Sequence, residues 1–268
     1  MAAPAQLTVN KQLTVDRVTL SFGGLNALSE VSLGIEPGRI TSVIGPNGAG
    51  KTSLLNCVSG FYTATRGSIS FEGHELVGLS PHQISKLGVA RAFQNIELFS
   101  GLSVLDNLML ARHTHLKYGF WQSLVFYGRT QRQEIDNRAF VEQIIDFMEL
   151  APYRKAVVGD LAYGVRKRVE MARALTLEPK LLLLDEPMAG MNPGEKEDIV
   201  RFILDIRAER GTTVVLIEHD LGVVMDISDY VYVLDFGQRI AGGSPAEVAR
   251  DPAVIEAYVG DYAQEVAL

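Results

Sequence analysis

Residues 45–53 constrain this chain more than any other stretch, because they follow the spacing G-x-x-x-x-G-K-[ST]. A triphosphate needs backbone N–H donors that point inward, and glycines let a loop wrap that closely. The lysine adds a mobile positive charge, and the hydroxyl that follows it can bind Mg²⁺. The stretch therefore predicts a phosphate-binding loop. Its residues are Gly45, Pro46, Asn47, Gly48, Ala49, Gly50, Lys51, Thr52 and Ser53.

The segments on either side of this loop support the prediction. Residues 40–44 form an apolar run, which predicts a buried strand leading into the loop. Residues 52–59 predict a helix that Gly60 ends, so the loop would lie at a helix N-terminus, where anions bind. A glycine-rich turn without a ligand is the alternative, and the strand–loop–helix context disfavours it.

Composition limits the partners and the location. The 268 residues carry a formal net charge of -7, so nucleic acid is not an expected partner. Cys57 is the only cysteine, so no internal disulfide can form and a core position is expected. Residues 1–12 lack the apolar segment of a signal peptide, and runs such as residues 181–184 are too short to span a bilayer. We therefore expect any membrane link to run through another polypeptide.

A small antiparallel sheet is predicted before the loop. Residues 13–22 and 31–35 alternate between apolar and polar side chains, as half-buried strands do. Phe22 lies at the end of the first of these runs, where its ring could stack on adenine. An ordinary core phenylalanine is the alternative for Phe22, because aromatic side chains are often buried.

A mostly helical block is predicted over residues 107–176. Within it, residues 115–129 are rich in aromatic side chains, which suits either a docking surface or a local core. His113 and His115 have no carboxylate or thiol cluster beside them, so a solvated pair is expected rather than a metal site. An apolar stripe at helical spacing is formed by Val141, Ile144, Ile145 and Met148.

Polar residues stand where two further predicted strands end. Residues 181–184 are fully apolar and run into Asp185 and Glu186. Residues 213–217 are another apolar run, and His219 follows it. Both runs read as buried parallel strands, and ligands bind at the carboxyl ends of such strands. These side chains are therefore candidates for one site.

Each candidate meets a need of ATP hydrolysis. Mg²⁺ takes oxygen ligands, which Thr52 and Asp185 can supply directly or through water. Glu186 can serve as the base for the attacking water, and His219 can donate a hydrogen bond to the γ-phosphate. Gln94 is a further polar residue at the end of a predicted strand. Alone, each has a structural explanation, such as a helix cap or a core histidine, but together they favour an ATP-hydrolysing site.

With these motifs in place, the chain resembles the ATP-binding subunits of ABC transporters from Leu13 to Gly260. It is most similar to the ATPases of importers for branched-chain and other hydrophobic amino acids. The general motifs are the Walker A loop at residues 45–52, the Q-loop Gln94, the signature at 161–168, the Walker B pair Asp185 and Glu186, the D-loop at 189–193 and the H-loop His219. The subgroup features are residues 21–25, 115–129, 190–193, 217–220 and 255–260.

The resemblance implies an α/β fold of the P-loop NTPase type, that of an ABC ATPase. A RecA-like core sheet would carry an N-terminal antiparallel β-subdomain and an inserted α-helical subdomain. The whole of residues 1–268 would form one ABC ATPase domain. Its parts would be the core with its β-subdomain at residues 13–93 and 177–245, the helical subdomain at about 94–176 and the tail at 246–268.

The resemblance also implies roles for individual residues. Lys51, Gln94, Glu186 and His219 would be catalytic. Thr52, Gln94 and Asp185 would hold Mg²⁺, and Gln94 would connect the metal to the helical block. Phe22 would join the phosphate loop in binding ATP, while Ala162 and Gly164 would touch ATP held by a second subunit.

Two residues depart from the usual Leu-Ser-Gly-Gly-Gln signature. Ala162 replaces the serine, as is usual for this subgroup, and Val165 replaces the glutamine, which is not. One lost hydrogen bond costs about 0.5–1.5 kcal/mol, while backbone N–H groups near Gly164 remain. We expect weakened or retuned turnover, and a catalytically weak regulatory subunit is the alternative.

The implied partners are integral-membrane permease subunits, a second ATPase that is a paralogue or a second copy, and indirectly an extracytoplasmic substrate-binding protein. The chain would lie peripherally on the cytoplasmic face of the inner membrane. Urea or amides, aromatic acids and lipopolysaccharide export remain alternative substrate classes. A DNA-repair ATPase of this type would need long coiled-coil arms and basic patches, and the sequence has neither.

Overall fold

The chain divides into two units in a computed structural model that describes residues 11–92, 97–112 and 129–265. The first unit comprises residues 1–81 and 211–268, and the second comprises residues 82–210. The subdomain boundaries inferred from the sequence stay a prediction.

The strands are β1 (Leu13–Phe22), β2 (Leu25–Ile35), β3 (Ile40–Ile44), β4 (Arg66–Phe71), β5 (His74–Glu75), β6 (Val89–Ala92), β7 (Leu181–Asp185), β8 (Thr213–Ile217), β9 (Tyr230–Asp235) and β10 (Gln238–Gly243). The helices are α1 (Lys51–Val58), α2 (Pro81–Leu87), α3 (Val104–Arg112), α4 (Arg129–Phe147), α5 (Tyr163–Leu175), α6 (Pro193–Arg210), α7 (Leu221–Ile227), α8 (Pro245–Val248) and α9 (Pro252–Glu265).

The first unit contains the predicted antiparallel sheet, in the order β2-β1-β4-β5. Its apolar side chains, such as Leu13 and Val15, are buried because alternate residues of a strand point to the same face. Phe22 is 49% exposed at the end of β1, and its ring meets the edge of Tyr62 with the ring centroids 5.2 Å apart. The alternative of a core phenylalanine is therefore wrong.

A second sheet of the first unit places the phosphate loop. Strand β3 lies between β8 and β9 and is parallel to both, while β10 returns antiparallel to β9. Every residue of β3 and β8 is buried, which explains their unbroken apolar runs. Val248 and Val254 of the C-terminal helices pack on Ile44 at the end of β3. The loop after β3 thus leaves a buried strand that is paired on both sides.

The second unit pairs β6 with β7 in parallel, and its helices supply most of its remaining core. The predicted apolar stripe is confirmed, because its three residues on α4 and Met148, directly after the helix, are all buried. Helix α3 begins where Ser103 accepts a hydrogen bond from the Asp106 backbone N–H at 3.1 Å, as an N-cap does. Gln94, His113, His115 and the aromatic residues up to 128 lie outside the described residues.

No helix in the part of the chain that the structure describes is long and apolar enough to cross a membrane.

Candidate active site

The loop between β3 and α1 depends on glycine backbone. Gly45, Gly48 and Gly50 have φ values of 146°, 78° and 97°, which side-chain-bearing residues rarely adopt. A Cβ on Gly45 would lie 2.0 Å from the Leu234 carbonyl oxygen, so the loop approaches β9 more closely than any other residue allows. These constraints fix the loop at the N-terminus of α1, the end of a helix that attracts anions.

Lys51 is wrapped by the loop that precedes it. Its side chain is only 6% exposed, and Nζ donates to the carbonyl oxygens of Gly45 at 2.6 Å and Pro46 at 2.8 Å. A buried ammonium needs such acceptors, because its desolvation is otherwise costly. Asn47 and Thr52 are exposed at the same loop. The positive charge is therefore held inside a loop whose rim is open to a ligand.

His219 lies at the same sheet edge as this loop, within the first unit. Val43 is in register with Ile217, so the segments that follow β3 and β8 leave the sheet side by side. His219 is exposed there, which rules out the alternative of a core histidine. Asp220 begins α7 by accepting a hydrogen bond from the Val223 N–H at 3.4 Å. This cap fixes the backbone immediately after His219.

Asp185 and Glu186 lie at the carboxyl end of β7 in the second unit. Asp185 is 1% exposed, and its Oδ2 accepts a hydrogen bond from Nη2 of Arg91 at 2.7 Å. Its other oxygen, Oδ1, is buried with no hydrogen-bond partner among the described residues. Buried carboxylate oxygens need a partner, and Mg²⁺ prefers oxygen ligands. Asp185 therefore fits the predicted metal.

Glu186 has an unusual backbone for a glutamate, with φ at 49°. A residue with a side chain in this left-handed region costs on the order of 1–3 kcal/mol, and such strain clusters at functional sites. The Glu186 carbonyl accepts from the Ala189 N–H at 3.2 Å, so a tight turn starts there. This turn directs the chain away from β7 directly after the two acids.

The predicted signature and D-loop contact each other within the second unit. Gly164 is buried, and a Cβ on it would lie 2.3 Å from Oε1 of Glu195. Glu195 and Asn192 cap α6 reciprocally, each side chain accepting from the other's backbone N–H at about 3 Å. A Cβ on Gly190 would lie 3.6 Å from the Tyr163 ring. A larger residue at position 164 would therefore displace the Glu195 carboxylate at the start of α6.

The two signature departures differ in structure. Ala162 is exposed at the N-cap of α5 and provides no side-chain cap. Val165 is 9% exposed, so its apolar side chain belongs to the packing of the unit. Tyr163 stands between these two residues in the sequence. Its burial raises the pKa of its hydroxyl, and the nearby Glu170 carboxylate raises it further.

Two residues of this region were missed by the sequence reasoning. Arg91 is a charged residue inside the buried strand β6, and that mismatch was the available signal. Glu195 stands three residues after Asn192, the spacing of a capping box, although its contact with Gly164 has no sequence signature.

The fold and these residues define an ATP-binding cassette, and solved structures agree. A nucleotide-free ATP-binding cassette from an ABC transporter is similar with a TM-score of 0.80 and 32% identity, covering 92% of this chain and 98% of that chain. The ADP conformation of MJ1267, an ATP-binding cassette of an ABC transporter, is similar with a TM-score of 0.80 and 31% identity over 93% and 99% of the two chains. The predicted fold class is confirmed.

The chain belongs to the ABC transporter family, whose sequence profile matches residues 28–189. Residues 238–264 match a second profile, described as branched-chain amino acid ATP-binding cassette transporter. The high-affinity branched-chain amino acid transport ATP-binding protein BraF of Pseudomonas aeruginosa is 41% identical, covering 93% of this chain and 98% of BraF. The protein LivG of Escherichia coli, with the same description, is 40% identical over the same shares. The family resemblance is thereby confirmed.

Proposed function

We propose that this chain is the ATP-hydrolysing subunit of an ABC importer for branched-chain amino acids. The observation that carries the proposal is the 41% identity to BraF over 98% of that protein, whose name states branched-chain amino acid transport. The match of residues 238–264 to a profile named for the same transporters supports the same substrate class. Other hydrophobic amino acids are the nearest alternative.

In this proposal the phosphate loop binds ATP within the first unit. Lys51 exchanges its loop carbonyls, 2.6 and 2.8 Å from Nζ, for the outer phosphates. The backbone N–H groups at the start of α1 receive the remaining phosphate charge. Phe22, which is 49% exposed, stacks on adenine, and Tyr62 supports its ring from the edge.

The metal ligands in this proposal are Thr52, Asp185 and Gln94. The buried Oδ1 of Asp185 supports this role, and Gln94 rests on the resemblance alone. A bound Mg²⁺ would neutralise charge that develops on the phosphates. The chain's own part is to present oxygen atoms for it.

Hydrolysis in this proposal uses Glu186 and His219. Glu186 accepts a proton from the attacking water, and His219 donates a hydrogen bond to the γ-phosphate. Ala162 and Gly164 close over ATP that a second ATPase subunit holds. Because ATP favours the closed pair and the pair is tied to the permease, binding and hydrolysis shift the permease between its two states.

The location follows from this partnership. The chain binds integral-membrane permease subunits at the cytoplasmic face of the inner membrane, and an extracytoplasmic binding protein supplies the substrate. A catalytically weak regulatory subunit is the second candidate, because Ala162 has no hydroxyl to offer at the N-cap of α5. The presence of Lys51, Asp185, Glu186 and His219 together disfavours it.

The substrate class can be tested in proteoliposomes that contain this chain, its cognate permease and the binding protein. We expect the ATP hydrolysis rate to rise severalfold with leucine, isoleucine or valine and to stay basal with urea or an aromatic acid. Stimulation by urea or aromatic acids alone would contradict the proposed substrate. The regulatory alternative would be favoured if leucine did not change the ATP hydrolysis rate of this chain and if that rate were a small fraction of the rate of a paired paralogue.

A further inference from the structure

We propose that Arg91 is a positioning residue that acts as the built-in counter-ion of Asp185 and weakens metal binding there. This inference rests on the proposed function, because it assumes that Asp185 serves the Mg²⁺ of an ATP site. The proposed function names only residues that bind the metal. The inference adds Arg91, a residue that competes with the metal for Asp185. Arg91 lies outside the phosphate loop, the signature and the acid pair.

The geometry of two neighbouring strands creates the contact. In the parallel pair of β6 and β7, Arg91 is in register with Leu183, two residues before Asp185. Nη2 of Arg91 donates to Oδ2 of Asp185 at 2.7 Å, and the two side chains are only 6% and 1% exposed. A charged pair this deeply buried exchanges little with water, so each charge depends on the other.

The physical reason for a counter-ion is the cost of burying Asp185. A buried carboxylate that loses a cationic partner is strongly destabilised, because no water replaces that partner. Arg91 removes this cost while no metal is present. The same positive charge repels a divalent cation that approaches the same carboxylate, and the repulsion is poorly screened in a buried place.

The two oxygens of Asp185 are therefore used differently. Oδ2 is held by Arg91, whereas Oδ1 has no hydrogen-bond partner within the described ranges. With Oδ2 bound to Arg91, Oδ1 is the oxygen left for a metal, and the guanidinium charge stays close to any cation that binds there. The expected result is a site that takes Mg²⁺ with ATP and also releases it, since Arg91 offsets part of the attraction.

The test measures metal binding without turnover. Mn²⁺ replaces Mg²⁺ and is titrated by electron paramagnetic resonance with saturating ATP, and every protein carries Glu186→Gln to prevent hydrolysis. We expect Arg91→Met to tighten Mn²⁺ binding by at least about tenfold, because a nearby positive charge is removed from a poorly screened site. Arg91→Lys keeps the charge and should bind Mn²⁺ nearly as the parent does.

A thermal readout and a surface control accompany the titration. Without metal, Arg91→Met should unfold at a lower temperature than the parent, and saturating Mn²⁺ should raise its melting temperature more than it raises the parent's. Arg201→Met removes an exposed arginine that pairs with Glu149 and Asp198, and it should leave Mn²⁺ binding unchanged. Unchanged or weaker Mn²⁺ binding in Arg91→Met would contradict the inference.

Two outcomes separate this inference from the proposed function. If the Glu186→Gln parent binds no Mn²⁺ in the presence of ATP, the proposed metal site is wrong. If that parent binds Mn²⁺ and Arg91→Met binds it equally, only the counter-ion role is wrong. Should Arg91→Met fail to fold, the double variant Arg91→Met with Asp185→Asn decides, because it removes both charges. A folded double variant supports the counter-ion role, and an unfolded one contradicts it.

Discussion

Single glycines of the phosphate loop show how one residue type serves two physical needs. Gly45 and Gly48 both have positive φ values, 146° and 78°. A Cβ on Gly45 would lie 2.0 Å from the Leu234 carbonyl oxygen, whereas a Cβ on Gly48 would meet nothing within 4 Å. Gly48 therefore answers only a backbone requirement, while Gly45 also permits a close approach of two backbones.

Alanine at these two positions should separate the two effects. Gly48→Ala should lower the free energy of unfolding by roughly 1–2 kcal/mol, the cost of a left-handed backbone for a residue with a Cβ. Gly45→Ala should cost at least about 3 kcal/mol, because an overlap with rigid backbone adds to that strain. Denaturant unfolding measures both values. Equal losses in the two variants would contradict the close approach.

Cys57 offers a second test at the residue scale. Its side chain lies in α1 directly behind the phosphate loop and is 2% exposed, and burial raises the pKa of the thiol to about 11. At pH 8 the thiol is therefore protonated, and only the thiolate attacks disulfide reagents. We expect no reaction with such a reagent in the native protein and full reaction in denaturant. Rapid native labelling at pH 8 would show that α1 opens.

The reach of sequence reasoning at this scale depends on where the partner of a residue lies. The loop glycines and Lys51 were predicted, because a phosphate loop is local in sequence and its requirements show in its spacing. The pair of Arg91 and Asp185 was not, because it depends on the register of two strands about ninety residues apart. The left-handed backbone of Glu186 was also missed, since glutamate carries no preference for it.

At the element scale, the pattern of apolar residues predicts those strands and helices whose apolar side chains are buried in the core. The buried strands β3, β7 and β8 and the apolar stripe along α4 follow directly from such patterns. Strand β2 begins at Leu25, earlier than the predicted run, and Leu25 is 76% exposed. Pairing with β1 extends β2 to this end. Backbone hydrogen bonds hold the strand end there, so no alternation of apolar and polar residues marks it in the sequence.

Three helices of the second unit meet at one arginine, Arg112 at the end of α3. Its Nε donates to Oδ1 of Asn137 on α4 at 2.9 Å, and its Nη1 donates to the carbonyl of Thr176 after α5 at 2.8 Å. Its guanidinium also lies over the Phe140 ring, 4.3 Å from the centroid. One side chain thus joins elements that share no local sequence signal.

Removal of this arginine should destabilise the helices together. Arg112→Ala should lower the free energy of unfolding by roughly 2–3 kcal/mol, because it leaves the Thr176 carbonyl and the Asn137 amide short of a partner. Arg201→Ala is the control, since its ion pairs are exposed and worth at most about 1 kcal/mol. Denaturant unfolding should rank the two variants in this order. A loss for Arg112→Ala no larger than the control would contradict the joining role.

The C-terminal helix α9 lies beside the phosphate loop, and its sequence alone did not predict this position. The residues that line a cavity of about 360 Å³ include Pro46, Asn47 and Gly48 of the loop and Ala253, Glu256 and Ala257 of α9. Residues 238–264 also carry the match to the branched-chain amino acid transporter profile. The segment particular to this subgroup therefore borders the loop that all such cassettes share.

For the whole molecule, the central claim is that a pair of cassettes hydrolyses ATP with Glu186 as the base. The match to the ABC transporter family agrees with an ATP-hydrolysing cassette. In the proposed mechanism the signature residues of one chain serve ATP on another, so an isolated chain should be nearly inactive. The ATP turnover per chain therefore indicates what share of the chains has paired.

The most direct measurement is the ATP turnover per molecule of the purified chain over a wide range of protein concentration. We predict that turnover rises as the chains pair, and that Glu186→Gln abolishes it while bound ATP is retained. Glu197→Gln, an exposed glutamate on α6, is the control and should behave as the parent does. Turnover that stays constant on dilution, or Glu186→Gln hydrolysing ATP at the parent rate, would contradict the claim.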